Sequence, residues 1–347
     1  MLCLSMNAFR CRPLRSVAAL FVVLCVALSA AANAQELSVY PAAVQMTSAN
    51  DTQRLVLVQT RADGVTLDLT EQAAVTFSVE GIVAWEGLRL KPLADGETQV
   101  TLSHGEQSVT VPVTVANAGV LPPVSFKNDV QAVLMRANCN SGGCHGSASG
   151  KNGFHLSLFG YDTPSDYLSL TREQDSRRMN VALPQESLML LKPMGEVDHE
   201  GGTVIEKDDL LYQTLHRWIA EGAKNDTPEV RSLTDIEILP KEAVLEGEGA
   251  VQRFVVMAKY SDGSDADVTR LAILSSSDDA SLTVDAEGKA VAGQKGEVYV
   301  MARFGTFAVV SQAIIIPAGQ DLAWPEVTAQ NYIDEAVFAK LKKLRVP

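Results

Sequence analysis

The spacing of apolar positions divides the chain into two β-type stretches with a helical stretch between them. Residues 36–117 and 234–316 consist of short segments that are rich in Val, Thr and Ile and are separated by turns of Gly, Asp and Ser. Short strands with turn residues between them are typical of antiparallel sandwiches. We therefore predict an all-β sandwich in each of these two ranges.

An internal repeat relates the two β-type stretches, because the same turn residues recur at a constant offset. The Asp-Gly pair suits a tight hairpin turn, and recurrence over a whole stretch indicates two related modules. The four Asp residues of the repeat offer a Ca²⁺ site as one interpretation, with solvated turn residues as the preferred one. The matching positions are Asp63-Gly64, Asp68-Leu69-Thr70 and Gly96-Glu97 in the first copy, and Asp262-Gly263, Asp267-Val268-Thr269 and Gly296-Glu297 in the second.

The middle stretch, residues 123–228, has apolar positions at helical spacing near both of its ends. Between these helices lie Gly-rich and irregular segments. We therefore predict a small, mostly helical domain, which would bury too little core without an additional organising group. The apolar positions at helical spacing are Val130, Val133, Leu134 and Ala137, and then Leu211, Leu215, Trp218 and Ile219.

The end of the chain, residues 324–347, is predicted to be a linker and the first helix of a truncated further domain. An amphipathic helix is expected over residues 330–345, where apolar residues recur at helical spacing. No nucleophile, general base or substrate pocket can be argued from this chain. Any catalysis is therefore expected beyond residue 347.

The first 34 residues have the order of a secretory signal peptide. Three arginines, the last of them Arg15, precede an apolar run from Val17 to Ala31, and the run closes on Ala32-Asn33-Ala34. The run is shorter than the roughly 18 apolar residues of a membrane span, so cleavage after Ala34 is the preferred interpretation. We therefore predict export to the periplasm or cell envelope.

Removal of the signal peptide leaves one cysteine pair, Cys139 and Cys144, of the five cysteines in the sequence. In an oxidising compartment, two free thiols form a disulfide unless they are bonded to another group. The formal net charge of −13 becomes more negative when the three arginines leave. This acidic character argues against nucleic acid as a partner.

The candidate chemistry lies in Cys139-Asn-Ser-Gly-Gly-Cys144-His145-Gly146, directly after a predicted helix. Attachment of haem c needs two thiols on one loop and a histidine after the second, but the usual spacer has two residues rather than four. Gly142 and Gly143 supply backbone freedom for the wider loop. A plain disulfide, a zinc site completed by His155 or His199, and a thioredoxin-like pair are alternatives, and His145 favours haem.

The middle stretch resembles the planctomycete-type cytochrome c domain of large exported proteins, and the β-type stretches resemble the group 2 bacterial Ig-like domain. The first resemblance implies one covalent haem c on Cys139 and Cys144 with His145 as an iron ligand, and the four-residue spacer is the family's own. It also implies a continuation into further domains. The motifs that carry it are the cysteine loop, Gly153-Phe154, Leu156-Ser157-Leu158, Arg177-Arg178, Ser187-Leu188 to Lys192, His199 with Gly201-Gly202, and Trp218-Ile219.

The second axial position of the iron has several candidate ligands. His199 is the first choice, because the family motif includes a histidine at this place between the two helices. Met194 and Met179 are the alternatives, since a thioether ligand raises the reduction potential relative to two histidines. An open site is the remaining possibility. The bland interpretation of both methionines is core filling.

Two functions follow from these observations. The leading hypothesis is an exported electron-transfer module whose haem exchanges electrons with a redox partner protein. The alternative is a surface binding or adhesion protein with a non-haem, disulfide-stapled middle domain. In both cases the Ig-like modules are expected to offer contacts to protein or polysaccharide.

Overall fold

The computed structural model describes residues 36–319 and 324–346. The predicted signal peptide, residues 1–34, lies outside the described residues. Within them the regular structure is mainly β, with twenty strands and short helices. None of the helices in these ranges is long and apolar enough to cross a membrane.

The first β repeat is a sandwich of short strands. One face is the sheet β1-β4-β5, the other is the sheet β2-β10-β9-β6, and β3-β8-β7 forms a third sheet at the side. The short strand β2 runs parallel to β10, whereas the other pairings are antiparallel. The strands are β1 Glu36–Tyr40, β2 Val44–Met46, β3 Gln53–Arg54, β4 Val56–Thr60, β5 Thr66–Asp68, β6 Ala74–Phe77, β7 Val83–Glu86, β8 Arg89–Pro92, β9 Gly96–His104 and β10 Gln107–Val115.

The second β repeat has the same strand order. Its sheets are β11-β14-β15, β12-β20-β19-β16 and β13-β18-β17, and β12 is parallel to β20 as β2 is to β10. The internal repeat of the sequence is thus a repeat of topology. The strands are β11 Leu233–Leu239, β12 Glu242–Glu246, β13 Val251–Arg253, β14 Val255–Tyr260, β15 Asp265–Asp267, β16 Ile273–Ser276, β17 Leu282–Val284, β18 Lys289–Ala292, β19 Gly296–Phe304 and β20 Phe307–Ile316.

Alternation of buried and exposed residues builds the core of each sandwich. In β9, Val100 and Leu102 are fully buried while the residues between them are turned outward. Successive side chains of a strand point to opposite faces, so every second residue meets the other sheet. Val300 and Ala302 occupy the equivalent positions in β19 and are also fully buried. The two repeats therefore have separate but equivalent cores.

The two β repeats pack on each other through equivalent strands, and we call this contact the repeat interface. Val56 and Val58 of β4 pack against Val255 and Met257 of β14, and all four side chains are buried. These are matching positions of the two repeats. Each repeat thus presents the same surface to the other, as in an isologous dimer interface.

Two reciprocal contacts between Arg and Asp border this apolar patch. The backbone N–H of Arg54 donates to Asp267 at 2.9 Å, and the backbone N–H of Arg253 donates to Asp68 at 2.7 Å. Arg253 and Asp267 are the repeat equivalents of Arg54 and Asp68. The side chains of Asp68 and Asp267 are 0% and 5% exposed. The preference for solvated turn residues is therefore wrong for these two acids.

The middle segment, residues 123–228, is not the mostly helical domain that the sequence predicted. Its longest helix has 11 residues, and turns and irregular segments make up most of the rest. The predicted fold class is therefore wrong: the described chain is mostly β, and no small α cytochrome-like domain is found in its described ranges. The helices of this segment are a π turn Phe126–Val130 leading into α1 Gln131–Arg136, then α2 Thr163–Thr171, α3 Leu188–Leu191 and α4 Leu210–Ala220, with 3₁₀ turns at Leu158–Gly160 and Pro184–Glu186. A further 3₁₀ turn, Thr70–Gln72, lies in the first β repeat.

A small aromatic core holds the middle segment together. Trp218 is 1% exposed, and its ring lies 5.2 Å from that of Phe126. Its indole N–H donates to the carbonyl of Lys224 at 2.9 Å. On the other side, Ala132 and Met135 of α1 join the core of the second β repeat. The irregular backbone of this segment is thus fixed by packing rather than by long helices.

The last helix, α5 Tyr332–Lys343, lies against the second repeat and buries none of its residues. Lys340 pairs with Glu297, and Lys343 pairs with Glu242 at 2.6 Å. Leu344, just after the helix, packs on an apolar patch that includes Val65. Charge therefore holds this helix more than apolar burial does.

Candidate functional site

The cysteine loop, residues 139–146, follows directly on α1. Asn138 has a left-handed backbone with φ of 62°, which ends the helix. The N–H of Cys139 donates to the carbonyl of Leu134 at 2.8 Å, and the N–H of His145 donates back to the carbonyl of Cys139 at 2.9 Å. The loop is therefore a closed turn that brings its two ends together.

The glycine on which this turn depends is Gly146. A Cβ at this position would lie 2.1 Å from the carbonyl oxygen of Asn140, so only glycine fits. A Cβ on Gly142 or Gly143 would meet no atom closer than 3.9 Å, and neither residue has a positive φ. The sequence argument for Gly142 and Gly143 as the required glycines is thus corrected.

The thiol of Cys139 belongs to the core of the middle segment. The residue as a whole is half-buried, but its side chain packs against the core cluster that contains Trp218. Burial raises the pKa of this thiol from 9.0 to about 12, and the nearby Cys144 adds to the shift. Both cysteines are thiols in the structure. Cys139 is thus an unreactive thiol at neutral pH in the folded, reduced protein.

His145 is held by Phe154 rather than directed into open space. Its Nδ1 lies 3.1 Å from the carbonyl oxygen of Phe154, and the two rings are 4.4 Å apart. The guanidinium of Arg178 lies 4.2 Å from the Phe154 ring on which it stacks. Burial lowers the pKa of His145 despite the hydrogen bond with the Phe154 carbonyl, so the neutral form is favoured.

The three candidate ligands for a second axial position lie in different surroundings. His199 is partly exposed, and its Nδ1 lies 2.8 Å from the carbonyl oxygen of Gly202, which fixes a local turn. Met179 and Met194 are partly buried and pack against the core of the middle segment. Both methionines thus fill the core, which was the alternative to a role as iron ligands.

The geometry of the loop does not fit the predicted haem. The ring of His145 is covered by Phe154, and the sulfur of Cys139 is packed towards Ala137 within the core. Two clefts lie between the β repeats, and no residue of this loop lines either of them. Across residues 36–319 and 324–346, no three His, Cys, Asp or Glu side chains are grouped as a metal site would require. The prediction of haem c, with the iron binding, metal binding and electron transfer that it implied, is therefore wrong.

Sequence reasoning missed the residues that form the polar contacts of the repeat interface. These are Arg54 and Arg253, which meet the buried acids at the repeat interface. A signal was present, because both arginines occupy the same position of the internal repeat. An internal repeat in the sequence, however, does not indicate that the two copies pack against each other.

Comparison with known proteins adds likenesses of low similarity. No protein-family model and no curated protein matches the chain. Domains 5-6 of the S-layer protein SbsC are 11% identical over 82% of this chain and 99% of that chain, with a TM-score of 0.31. The neural ectodermal development factor IMP-L2 is 9% identical over 82% and 95%, with a TM-score of 0.26. The D0-D1 domain of intimin is 10% identical over 81% and 96%, with a TM-score of 0.16.

These TM-scores are below 0.5, so the fold is assigned from the strand order and the cores described above. That order defines a class: a protein of two β-sandwich repeats that hold a partly helical segment between them in sequence.

Reduced protein should lose stability as the pH rises from about 9 to about 12, because the unfolded chain ionises Cys139 in this range while the folded chain does not. The sign follows from the raised pKa: the contribution is fully present below pH 9.0 and is lost as the pH approaches 12. Thermal unfolding of the wild type and of Cys139→Ser under reducing conditions measures the effect. The serine variant should lack this part of the alkaline loss, and equal slopes in both proteins would contradict it.

Proposed function

We propose that this protein is an exported surface-binding protein, in which two group 2 bacterial Ig-like repeats form one rigid body and carry a disulfide-stapled middle segment. The observation that carries the proposal is the repeat interface. Its reciprocal Arg-Asp contacts leave the two repeats no free hinge at this contact. A rigid body of sandwiches suits the presentation of a binding surface better than it suits turnover of a substrate.

The energetics of the interface support rigidity. The carboxylate of Asp68 accepts from the backbone and the guanidinium of Arg253 and also from the backbone of Thr70. Loss of one partner would leave a buried charge without its hydrogen bonds, which costs several kcal/mol. Separation of the repeats would break two such contacts together with the valine patch. The joined state is therefore the working state of the proposed protein.

The staple of the middle segment would be a disulfide between Cys139 and Cys144. The closed turn joins the carbonyl of Cys139 to the N–H of His145, the residue that follows Cys144, and the charge of Cys144 acts on the pKa of Cys139. Formation of the bond removes one proton and one electron from each thiol, and an external disulfide of the oxidising compartment accepts the electrons and becomes two thiols. Because the side chain of Cys139 packs against the core of the folded segment, formation of the bond before folding is complete is favoured.

The charge and the signal sequence support an envelope location and a carbohydrate or protein partner. The strongly acidic chain disfavours nucleic acid. The Ig-like repeats expose alternating polar faces, and such surfaces bind through local patches rather than through a catalytic cleft.

Export and envelope retention test the proposal. The full chain, made in a Gram-negative host, should lose residues 1–34, become accessible to protease on intact or permeabilised envelopes, and bind isolated envelopes. Envelopes stripped of polysaccharide by periodate should bind less. A chain without residues 1–34 is the matched control and should stay in the cytoplasmic fraction. An uncleaved full chain in the cytoplasm, or purified protein that binds no envelope preparation, would refute the proposal.

A further inference from the structure

A basic cleft of about 230 Å³ lies beside the repeat interface. Both repeats contribute to it, the first through the hairpin of β7 and β8 and the second through the turn before β18. Its apolar floor is Leu55 and Val56, and its charged lining consists of four cations and two carboxylates. Those charged residues are Arg54, Arg89, Arg253, Lys289, Asp285 and Glu287.

Three arginines converge on one carboxylate in this cleft. Arg54 and Arg89 both donate to the same oxygen of Glu287, and the Nε of Arg270 donates to its other oxygen at 3.0 Å. The side chains of Arg54 and Arg89 are 8% and 22% exposed, whereas that of Glu287 is 46% exposed. The cations are thus fixed in the wall, and the carboxylate enters from the solvent side.

The other carboxylates near the cleft are bonded to backbone N–H groups or to the guanidinium of Arg253. Asp267 accepts from the N–H of Arg54 and from Thr269, and Asp285 accepts from the N–H groups of Glu287 and Lys289. Asp68 and Glu71 pair with the guanidinium of Arg253. The Nε of Arg54 has no hydrogen-bond partner among the described residues, although Asp267 lies 3.8 Å away. The wall of the cleft therefore retains an unused donor.

The electrostatics of the site agree with this geometry. Burial lowers the pKa of Arg89, and the positive charge of Arg54 lowers it further. Burial acts to raise the pKa of Glu287, but the charges of Arg54 and the other arginines outweigh it and the pKa is lowered. A carboxylate in this position is thus ionised and stabilised by the arginines.

We propose that the cleft is a carboxylate-binding site for a sugar acid, and that Glu287 is a resident carboxylate which the ligand displaces. Glu287 itself identifies the chemistry, because it is a carboxylate held by guanidinium groups, and guanidinium recognises carboxylate in this way. The cleft is smaller than the ~300–1,000 Å³ of pockets for drug-sized ligands, so it suits one acidic saccharide unit. The inference rests on the proposed surface-binding function and names the ligand class for it.

Calorimetric titration of the full mature chain with galacturonate and with its trimer tests the site. Arg89→Gln should weaken binding by about tenfold, as expected for loss of one charge-assisted hydrogen bond. Lys91→Gln is the matched control, because Lys91 lies on the same strand, pairs with the exposed Glu86 and does not line the cleft. Glu287→Gln should strengthen binding, since it removes the competing charge. Thermal unfolding of each variant confirms that it is folded.

Comparison of galacturonate with its trimer shows whether the cleft binds a free saccharide unit or a unit within a polymer. Binding of both monomer and trimer supports a site for one saccharide unit, and binding of the trimer alone supports a unit recognised within a polymer. Tighter binding of inorganic phosphate than of galacturonate, or equal losses in Arg89→Gln and Lys91→Gln, would overturn the proposal. So would unchanged or weaker binding in folded Glu287→Gln. Envelope retention that persists in Arg89→Gln would reject the cleft while leaving the surface-binding function intact.

Discussion

Asp68→Ala should destabilise the folded chain by about 3–5 kcal/mol, and Asp267→Ala by a similar amount. Each carboxylate is buried at the repeat interface and accepts a backbone N–H from the other repeat. Removal of Asp68 also leaves the guanidinium of Arg253 with only the exposed Glu71 as a partner and leaves the buried backbone N–H of Arg253 without its acceptor, which is costly. Urea unfolding of the wild type and of both variants measures the free energies.

Glu86→Ala is the control for the loss of a carboxylate, because Glu86 is exposed and its ion pair with Lys91 is exposed too, so its cost should stay below about 1 kcal/mol. The two aspartate variants should also have similar unfolding free energies, since each carboxylate accepts the backbone N–H of an arginine of the other repeat and of the threonine two residues ahead. A cost near that of Glu86→Ala for either aspartate would mean that the repeats do not pack as described.

Trp218→Ala should cost about 3–5 kcal/mol in the stability of the middle segment, because it leaves a large cavity in a small core. The indole packs on Phe126 and donates to the carbonyl of Lys224, so the substitution also leaves that carbonyl without its donor. Near-ultraviolet circular dichroism and urea unfolding report the loss. Hydrogen exchange should increase in residues 123–228 more than in the β repeats.

Tyr161→Ala is the matched control in the same segment, since Tyr161 is 72% exposed and its loss should be nearly neutral. Equal exchange rates in wild type and Trp218→Ala across residues 123–228 would contradict the role of the indole in this core.

The sequence predicted the two β repeats through local signals. The Asp-Gly turns and the segments rich in Val and Thr depend on neighbouring residues, so they can be interpreted one at a time. The helix before the cysteine loop and the helix around Trp218 were also visible, because their apolar positions recur at helical spacing. The length of these helices could not be predicted, because α1 and α4 are short and the segments between them have no regular spacing of apolar residues.

The repeat interface could not be predicted from such signals. The turn context of Asp68 suggested a solvated acid, and the residue is buried only because Arg253, far away in sequence, lies opposite. Burial of a polar side chain depends on its partner rather than on its neighbours in the chain. The internal repeat identified equivalent residues but not their contact.

The cysteine loop illustrates the opposite error. The order of two cysteines and a histidine was sufficient to suggest a haem site. Whether the ring of His145 is free to bind iron depends instead on Phe154, which covers it, and on Arg178, which stacks on Phe154. Both residues follow in irregular segments. Motif spacing places chemical groups on one loop but does not state what covers them. The packing of these groups is what separates a closed turn from an open cofactor site.

The most direct test of the central claim is the intact mass and absorption spectrum of the exported protein, made in a host that has a c-type haem assembly system. The mature protein should be colourless, and its mass should be lower by two hydrogens than that of the reduced chain. Alkylation before and after reduction should assign the missing hydrogens to Cys139 and Cys144. A mass increased by one covalent haem, with its Soret band and pyridine haemochrome spectrum, would contradict the account.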